Sequence, residues 1–411
     1  MSHLLLPAGQ NWSCHRCTDC CRHHVIEISA SEKERIEQLP WEAGDPLRDK
    51  TSAASYGGGY RLVHGTDGAC IFLGEDGLCR IHSKFGGAAK PLACRIFPYA
   101  LHPAGKSIAV SLRFSCPSVT ANNGRPLGEQ VQEVREIARW VVPANTDSIP
   151  APAILDDGSP LWPDFSRFVQ HLARFFSNTK ETMSQQLLNA LRWVELIEKA
   201  QFSQITGEGA DEILGVLAEA AREQAAGGSE SPSRIGRSQF RTLVYEYARK
   251  DTVRDLNIGL GRRLKRVWAA LRFSRGAGLI PALSPEWREV PFELLEKPFG
   301  VPDEVQELMR RYFRVKIEGL HFCGLPYYNL PLVEGFRHLA LVFPAALFLA
   351  RWRAATQGRS RMELSDAAFA LSRIDHHHGY SPGLGTSNAR RRVRLLVRNG
   401  DLGKLIGWYA R

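Results

Sequence analysis

Apolar positions follow two different rhythms along this chain, and the change falls near Asn123-Gly124. Before it the pattern is short and close to period two. Val25-Ile26-Glu27-Ile28 alternates, and Ile108-Ala-Val110-Ser-Leu112-Arg-Phe114 reads as a half-buried strand. Between them, Ser29 and Glu32 form a capping-box pair that predicts a helix running to Leu39 and stopped by Pro40. The stretch Lys50–Tyr60, small and carrying Gly57-Gly58-Gly59, reads as a mobile loop.

Beyond Gly124 the period lengthens to about 3.6. Leu127, Val131, Val134, Ala138 and Val141 lie on one helical face, as do Phe165, Phe168, Val169, Leu172 and Phe176, and then Leu187, Leu188, Leu191 and Val194. Further helices are predicted over Ile213–Arg222, Phe240–Arg249, Leu264–Phe273, Val305–Phe313, Leu339–Ala350 and Leu364–Ile374. The fold class expected is therefore mostly α, with a small cysteine-rich α+β metal-binding module over residues 1–120 followed by a multi-helix all-α region over 121–411. Gly227-Gly228-Ser-Glu-Ser-Pro232 is the candidate linker for a subdivision of the second part.

At 411 residues and 44% hydrophobic composition the chain can bury ordinary globular cores. Its longest apolar run, Leu339–Ala350, lies between Arg337 and Arg351 and contains Pro344. It falls short of the roughly 20 residues a membrane span needs, so a buried helix is expected. The N-terminus lacks the basic and apolar regions of a signal peptide, which points to the cytoplasm. A net charge of +10 permits an acidic partner without naming one. Arg262-Arg263-Leu-Lys265-Arg266-Val-Trp268 and Arg390-Arg391-Arg392-Val-Arg394 could meet nucleic acid or an acidic protein, but solvated helix faces are the simpler reading.

Cysteine usage changes the picture. Eight of nine cysteines fall in the first 116 residues, as Cys14-x2-Cys17-x2-Cys20-Cys21 and then Cys70, Cys79, Cys94 and Cys116. Thiolates two residues apart can converge on one soft cation or cluster, whereas adjacent cysteines and two-residue gaps suit disulfide geometry poorly. Two Asp-Gly turns, Asp67-Gly68 and Asp76-Gly77, precede Cys70 and Cys79 and suggest a hairpin with ligands on both arms. Cys94 is held between Pro91 and Pro98, and Cys116 ends the predicted strand. Eight thiolates suit two zinc sites, or an iron–sulfur cluster with a second site; the opening Cys-x2-Cys-x2-Cys favours the cluster. Cys20 and Cys21 would project apart on an extended chain. His15, Asp19, His23 and His24 are candidate supporting or substitute ligands. Arg95 could donate to a cluster sulfide or a bound carboxylate. Asp375-His376-His377-His378 could supply a ligand or base, against the plainer reading of an exposed helix end. Cys323 reads as a small buried apolar residue.

The run Cys14-x2-Cys17-x2-Cys20-Cys21, with Asp67-Gly68-x-Cys70, Gly77-x-Cys79 and Cys94-Arg95-x-Phe97-Pro98, resembles the YkgJ-type cysteine-cluster proteins, which implies zinc or iron chelation. The spacing after Cys79 is longer than is usual there. Across the whole chain, the cluster closing at Cys116-Pro117, the stretch from Arg310 through Tyr312 to Asn329-Leu330, and Ser372-Arg373-x-x-His376 resemble the flagellin lysine-N-methylase group. That resemblance implies methyl transfer from S-adenosylmethionine to lysine on a flagellin-like protein substrate, with His376 as a cofactor contact; Arg95, by its place after Cys94, is the other candidate cofactor-binding residue. It requires His376 to face the cysteine module while His377 and His378 point elsewhere. Gly259-x-Gly261 and Gly383-x-Gly385 lack the parallel-strand context of a nucleotide fold, so any such site is unconventional. The competing reading is a chelating module without catalytic activity.

Overall fold

The computed structural model describes residues 3–156, 158–200, 207–223, 230–249, 253 and 259–411. A small strand-containing N-terminal region is followed by a helical body. The expected linker at Gly227-Gly228-Ser229 lies outside the described residues.

Two apolar cores organise the molecule. The smaller gathers Ile28, Ile36, Leu47, Leu62, Phe72 and Ile81 together with Cys70. Around it, Glu27–Ile28, Gly59–Leu62 and Ala53–Tyr56 form an antiparallel sheet. The glycine-rich stretch is thus a hairpin and not a loop: Gly57 and Gly58 both take positive φ, the conformation a two-residue turn needs to match strand twist. The capping box forms as expected, with Ser29 and Glu32 bonding each other's backbone amides at the head of the helix Ala30–Glu37.

The larger core joins both parts of the chain. His3–Leu5 pairs in parallel with Ser107–Leu112, which pairs antiparallel with Tyr99–Ala104. Ala109, Val110, Leu112, Phe114 and Val119 pack into the same apolar cluster as the helices. Gly319, ending the helix Asp303–Glu318, abuts Ser111 so closely that a Cβ there would overlap it. The strand carrying the last clustered cysteine is therefore seated on the helical body.

The predicted helices are present over Val131–Val141, Trp162–Arg174, Met183–Ala200, Glu208–Glu223, Arg234–Ala248, Leu260–Arg275, Asp303–Glu318, Val342–Thr356 and Leu364–His377. The helices Ser387–Arg398 and Asp401–Ala410 were not singled out by periodicity. The stretch Leu332–Thr356 is long and apolar enough to cross a membrane by length and composition, but 94% of its most apolar window is buried inside the protein. Arg351 is fully buried there, its two terminal guanidinium nitrogens donating to the carbonyls of Leu295, Lys297, Tyr409 and Arg411.

Candidate metal centre

Three short loops bring the cysteines together. In the first, Arg16 and Thr18 take left-handed backbone on either side of Cys17, and a single helical turn, Asp19–His23, follows. That turn places the Cys20 and Cys21 sulfurs 3.9 Å apart, so the two do not diverge as an extended chain would make them. The second element is a pair of consecutive tight turns. Gly65 N–H donates to Ala69 C=O and Asp67 accepts from Ala69 N–H; nine residues on, Gly74 donates to Leu78 and Asp76 accepts from Leu78. Each turn closes onto its own cysteine, Cys70 or Cys79, so the expected single hairpin is two small ones. Cys94 sits in the short helix Leu92–Ile96, and Cys116 caps the turn Pro117–Thr120.

Contacts within these loops gather the thiols into two neighbourhoods that meet at Cys20. Cys70 lies within electrostatic reach of Cys94, Cys79 and Cys20, and its N–H donates to the Cys21 carbonyl at 2.8 Å. Cys17 lies within reach of Cys14 and Cys20, and Cys116 within reach of Cys17. The second neighbourhood is pinned by Ser13 N–H on Asn123 C=O, at 3.1 Å, and by His15 Nδ1 with Ser118 Oγ, also at 3.1 Å. Cys14 and Cys17 are exposed, Cys70 and Cys116 buried, and all nine cysteines are free thiols. Among the described residues, no three His, Cys, Asp or Glu side chains already stand at metal-ligating geometry.

The donor set fits a soft cation or cluster. A hydrogen bond to Cys21, and then burial, push the Cys20 thiol far up. Burial pushes Cys70 and Cys94 up to about 12, Cys94 despite the pull of Lys90, and Cys116 up to about 11. Such thiols stay protonated at neutral pH. Only positive charge placed among them would favour the thiolate, as metal binding does.

The histidines and charges around the loops take varied places. Asp19 pairs with His23 at 3.4 Å. His24 is buried, its ring 4.9 Å from Phe97 and 4.9 Å from His376. His376 therefore faces the cysteine module. His377 turns away to the Arg249 carbonyl, and His378 is fully buried with its ring 4.5 Å from Tyr327. This corrects the plain reading of an exposed helix end. Arg95 lays its guanidinium 3.4 Å over the Trp140 ring. Arg390 and Arg394 both grip Glu334, leaving these two members of the second basic cluster occupied within the fold. Cys323 is buried, as expected.

Periodicity gave no sign of Glu286, which meets Arg373 at 3.0 Å between two clefts. Burial would raise the Glu286 carboxyl, but Arg373 overrides it and holds it down at about 2. On one side lies a cleft of about 1000 Å³ whose walls include Arg22, Arg249, Arg262, Lys265 and Arg266. On the other lies one of about 1120 Å³ presenting Asp19, Asp303, Glu304 and Glu307. His23, Glu286 and Arg373 border both. The metal-loop turn Asp19–His23 thus lies between a basic and an acidic cleft.

Residues 13–117 match the family CxxCxxCC, described as "Putative zinc- or iron-chelating domain". The flagellar biosynthetic protein FliU of Salmonella muenchen is 39% identical over 54 residues, which is 13% of this chain. The match spans about a third, 32%, of that relative's length. No solved structure matches the chain.

Proposed function

We propose that the eight clustered cysteines hold an iron–sulfur cluster together with a second thiolate site, and that the chain is a protein lysine N-methyltransferase acting in flagellar biosynthesis. One of Cys20 and Cys21 with Cys70, Cys79 and Cys94 would hold one centre, and the other of the pair with Cys14, Cys17 and Cys116 the second. The metal-binding part of this reading rests on the domain matched over residues 13–117. The flagellar role is carried over from the name of the partial relative.

The observation that carries the enzymatic reading is the position of the acidic cleft. A lysine side chain is a cation on a thin apolar stem. The acidic wall, with Leu308, Ala368 and Phe369 beside it, offers carboxylates for the head and apolar surface for the stem. The basic cleft across the Glu286–Arg373 pair suits the carboxylate of S-adenosylmethionine. When bound, that cofactor supplies an electrophilic methyl; the S–CH₃ bond breaks, an N–CH₃ bond forms at a lysine, and the amine gives up a proton. Incubation of anaerobically purified protein with labelled S-adenosylmethionine and flagellin tests this. Label on flagellin lysine, reduced at least tenfold by Glu307→Lys/Asp303→Lys, is expected. No label on any lysine-rich acceptor, with metal content intact, would leave the chelating module as the better account.

A further inference from the structure

The helix Leu260–Arg275 presents the wrong face to solvent. It buries only Ala269 and Phe273, which pack toward the helix Arg234–Ala248 through the Phe273–Tyr245 ring pair, and Tyr245 Oη–H donates to the Arg266 carbonyl. At 100° per residue those two buried positions lie together on one side. Leu260, Leu264, Val267, Trp268 and Leu271 fall within a single arc on the opposite side, and each is more than half exposed. A helix packed on a protein normally turns polar residues outward. Here the outward face is apolar.

Charge says what covers it. The helix carries Arg262, Arg263, Lys265, Arg266, Arg272 and Arg275 and has no carboxylate in its 16 residues. The same wheel places Arg263 on one flank of the apolar arc and Lys265 and Arg272 on the other. Arg272 lies 4.6 Å from the Trp268 ring, joining an aromatic edge to a cation. A second copy of this helix would bring like charges face to face with no acid on either to pair them. An apolar ridge with a tryptophan edge and cations along both flanks has the form of a helix lying in a membrane interface, its apolar side chains among acyl chains and its cations at anionic headgroups.

We infer that this helix docks the protein, without spanning, onto an anionic lipid surface. The test uses full-length, metal-replete protein and sedimentation with vesicles of phosphatidylcholine alone or mixed equally with phosphatidylglycerol. Binding is expected to the anionic vesicles, at least tenfold tighter than to the neutral ones. It should fall at least tenfold in Leu264→Glu/Leu271→Glu, and also in the milder Leu264→Ala/Leu271→Ala should the charged pair disturb folding. Arg263→Glu should weaken anionic binding, and added salt should do the same. All variants should retain the wild-type melting temperature and metal content. No co-sedimentation with anionic vesicles overturns the inference. So does vesicle binding unchanged by the leucine substitutions, or a self-association or capture of acidic protein that they abolish in protein that ignores vesicles.

Discussion

Asp375→Asn removes the anion from a fully buried ion pair and isolates one question, how the helical body holds the strand that ends at Cys116. Lys316 and Asp375 are both completely buried and meet at 2.6 Å. Lys316 also donates to the Leu112 carbonyl and lies 3.0 Å from His321 Nδ1, while Asp375 accepts from Ser115 N–H. Two helices and the end of a strand are thereby tied at one point. Burial drives the Lys316 pKa down and Asp375 opposes it; burial and the neighbouring Lys316 keep His321 neutral and able to accept. With asparagine at 375 the cheapest relief is loss of the Lys316 proton. For an amine of ordinary pKa near 10.4 this costs at most about 5 kcal/mol at pH 7, in line with the ~3–5 kcal/mol seen when buried pairs are broken. The variant's unfolded chain would then bind one more proton than its folded state, so its stability rises with pH up to about 10. Urea unfolding should show a deficit of about 3–5 kcal/mol at pH 7 that shrinks by about 1 kcal/mol per pH unit toward pH 9. Lys316→Met/Asp375→Leu should recover more than half of it. A deficit below about 0.5 kcal/mol, or one indifferent to pH, would refute the reasoning.

Other substitutions probe separate joints. Burial would raise the Glu334 carboxyl, but Arg390 and Arg394 hold it down at about 2. Its contribution is complete above its unfolded pKa of roughly 4.3 and lost as pH falls through about 2, so Glu334→Gln should cost about 2–3 kcal/mol at pH 7 and less than about 0.5 kcal/mol at pH 2, read by denaturant titration. Gly335 in the helix Leu332–Ala340 meets the Phe322 backbone so closely that a Cβ would overlap its carbonyl oxygen; Gly335→Ala should cost about 1–3 kcal/mol, measured the same way. Cys70→Ser should deplete metal from the first thiol neighbourhood and Cys14→Ser from the second, seen as different partial losses by elemental analysis; identical total loss from both would mean one indivisible centre.

Much of this was legible in the sequence where local chemistry decides conformation. The Ser29/Glu32 cap, the long amphipathic helices and the buried Leu339–Ala350 run follow from spacing alone. The hairpin at Gly57-Gly58 was missed because glycine-rich composition signals a turn and a loop equally, and only pairing partners separate them. Cys20 and Cys21 were expected to part because an extended chain was assumed; one helical turn from Asp19 brings their sulfurs together. The histidines show the limit most plainly. Helical geometry requires that His376, His377 and His378 point different ways, but that His376 meets His24 while His378 fills the core depends on contacts more than 350 residues apart in sequence for the first pair. Glu286 gave no local signal, since its role comes from the Arg373 it meets across the fold.

The central claim is that the thiols of residues 14–116 hold iron and sulfide. Protein purified without oxygen, then assayed together for iron, zinc, acid-labile sulfide and the ultraviolet–visible spectrum, tests it most directly. The account predicts brown protein with iron and sulfide in equal amounts, a broad visible absorption that bleaches on reduction, and loss of colour when Cys70 or Cys94 is replaced by serine. Colourless protein with stoichiometric zinc and no sulfide, or eight cysteines paired as disulfides with no metal, would contradict it.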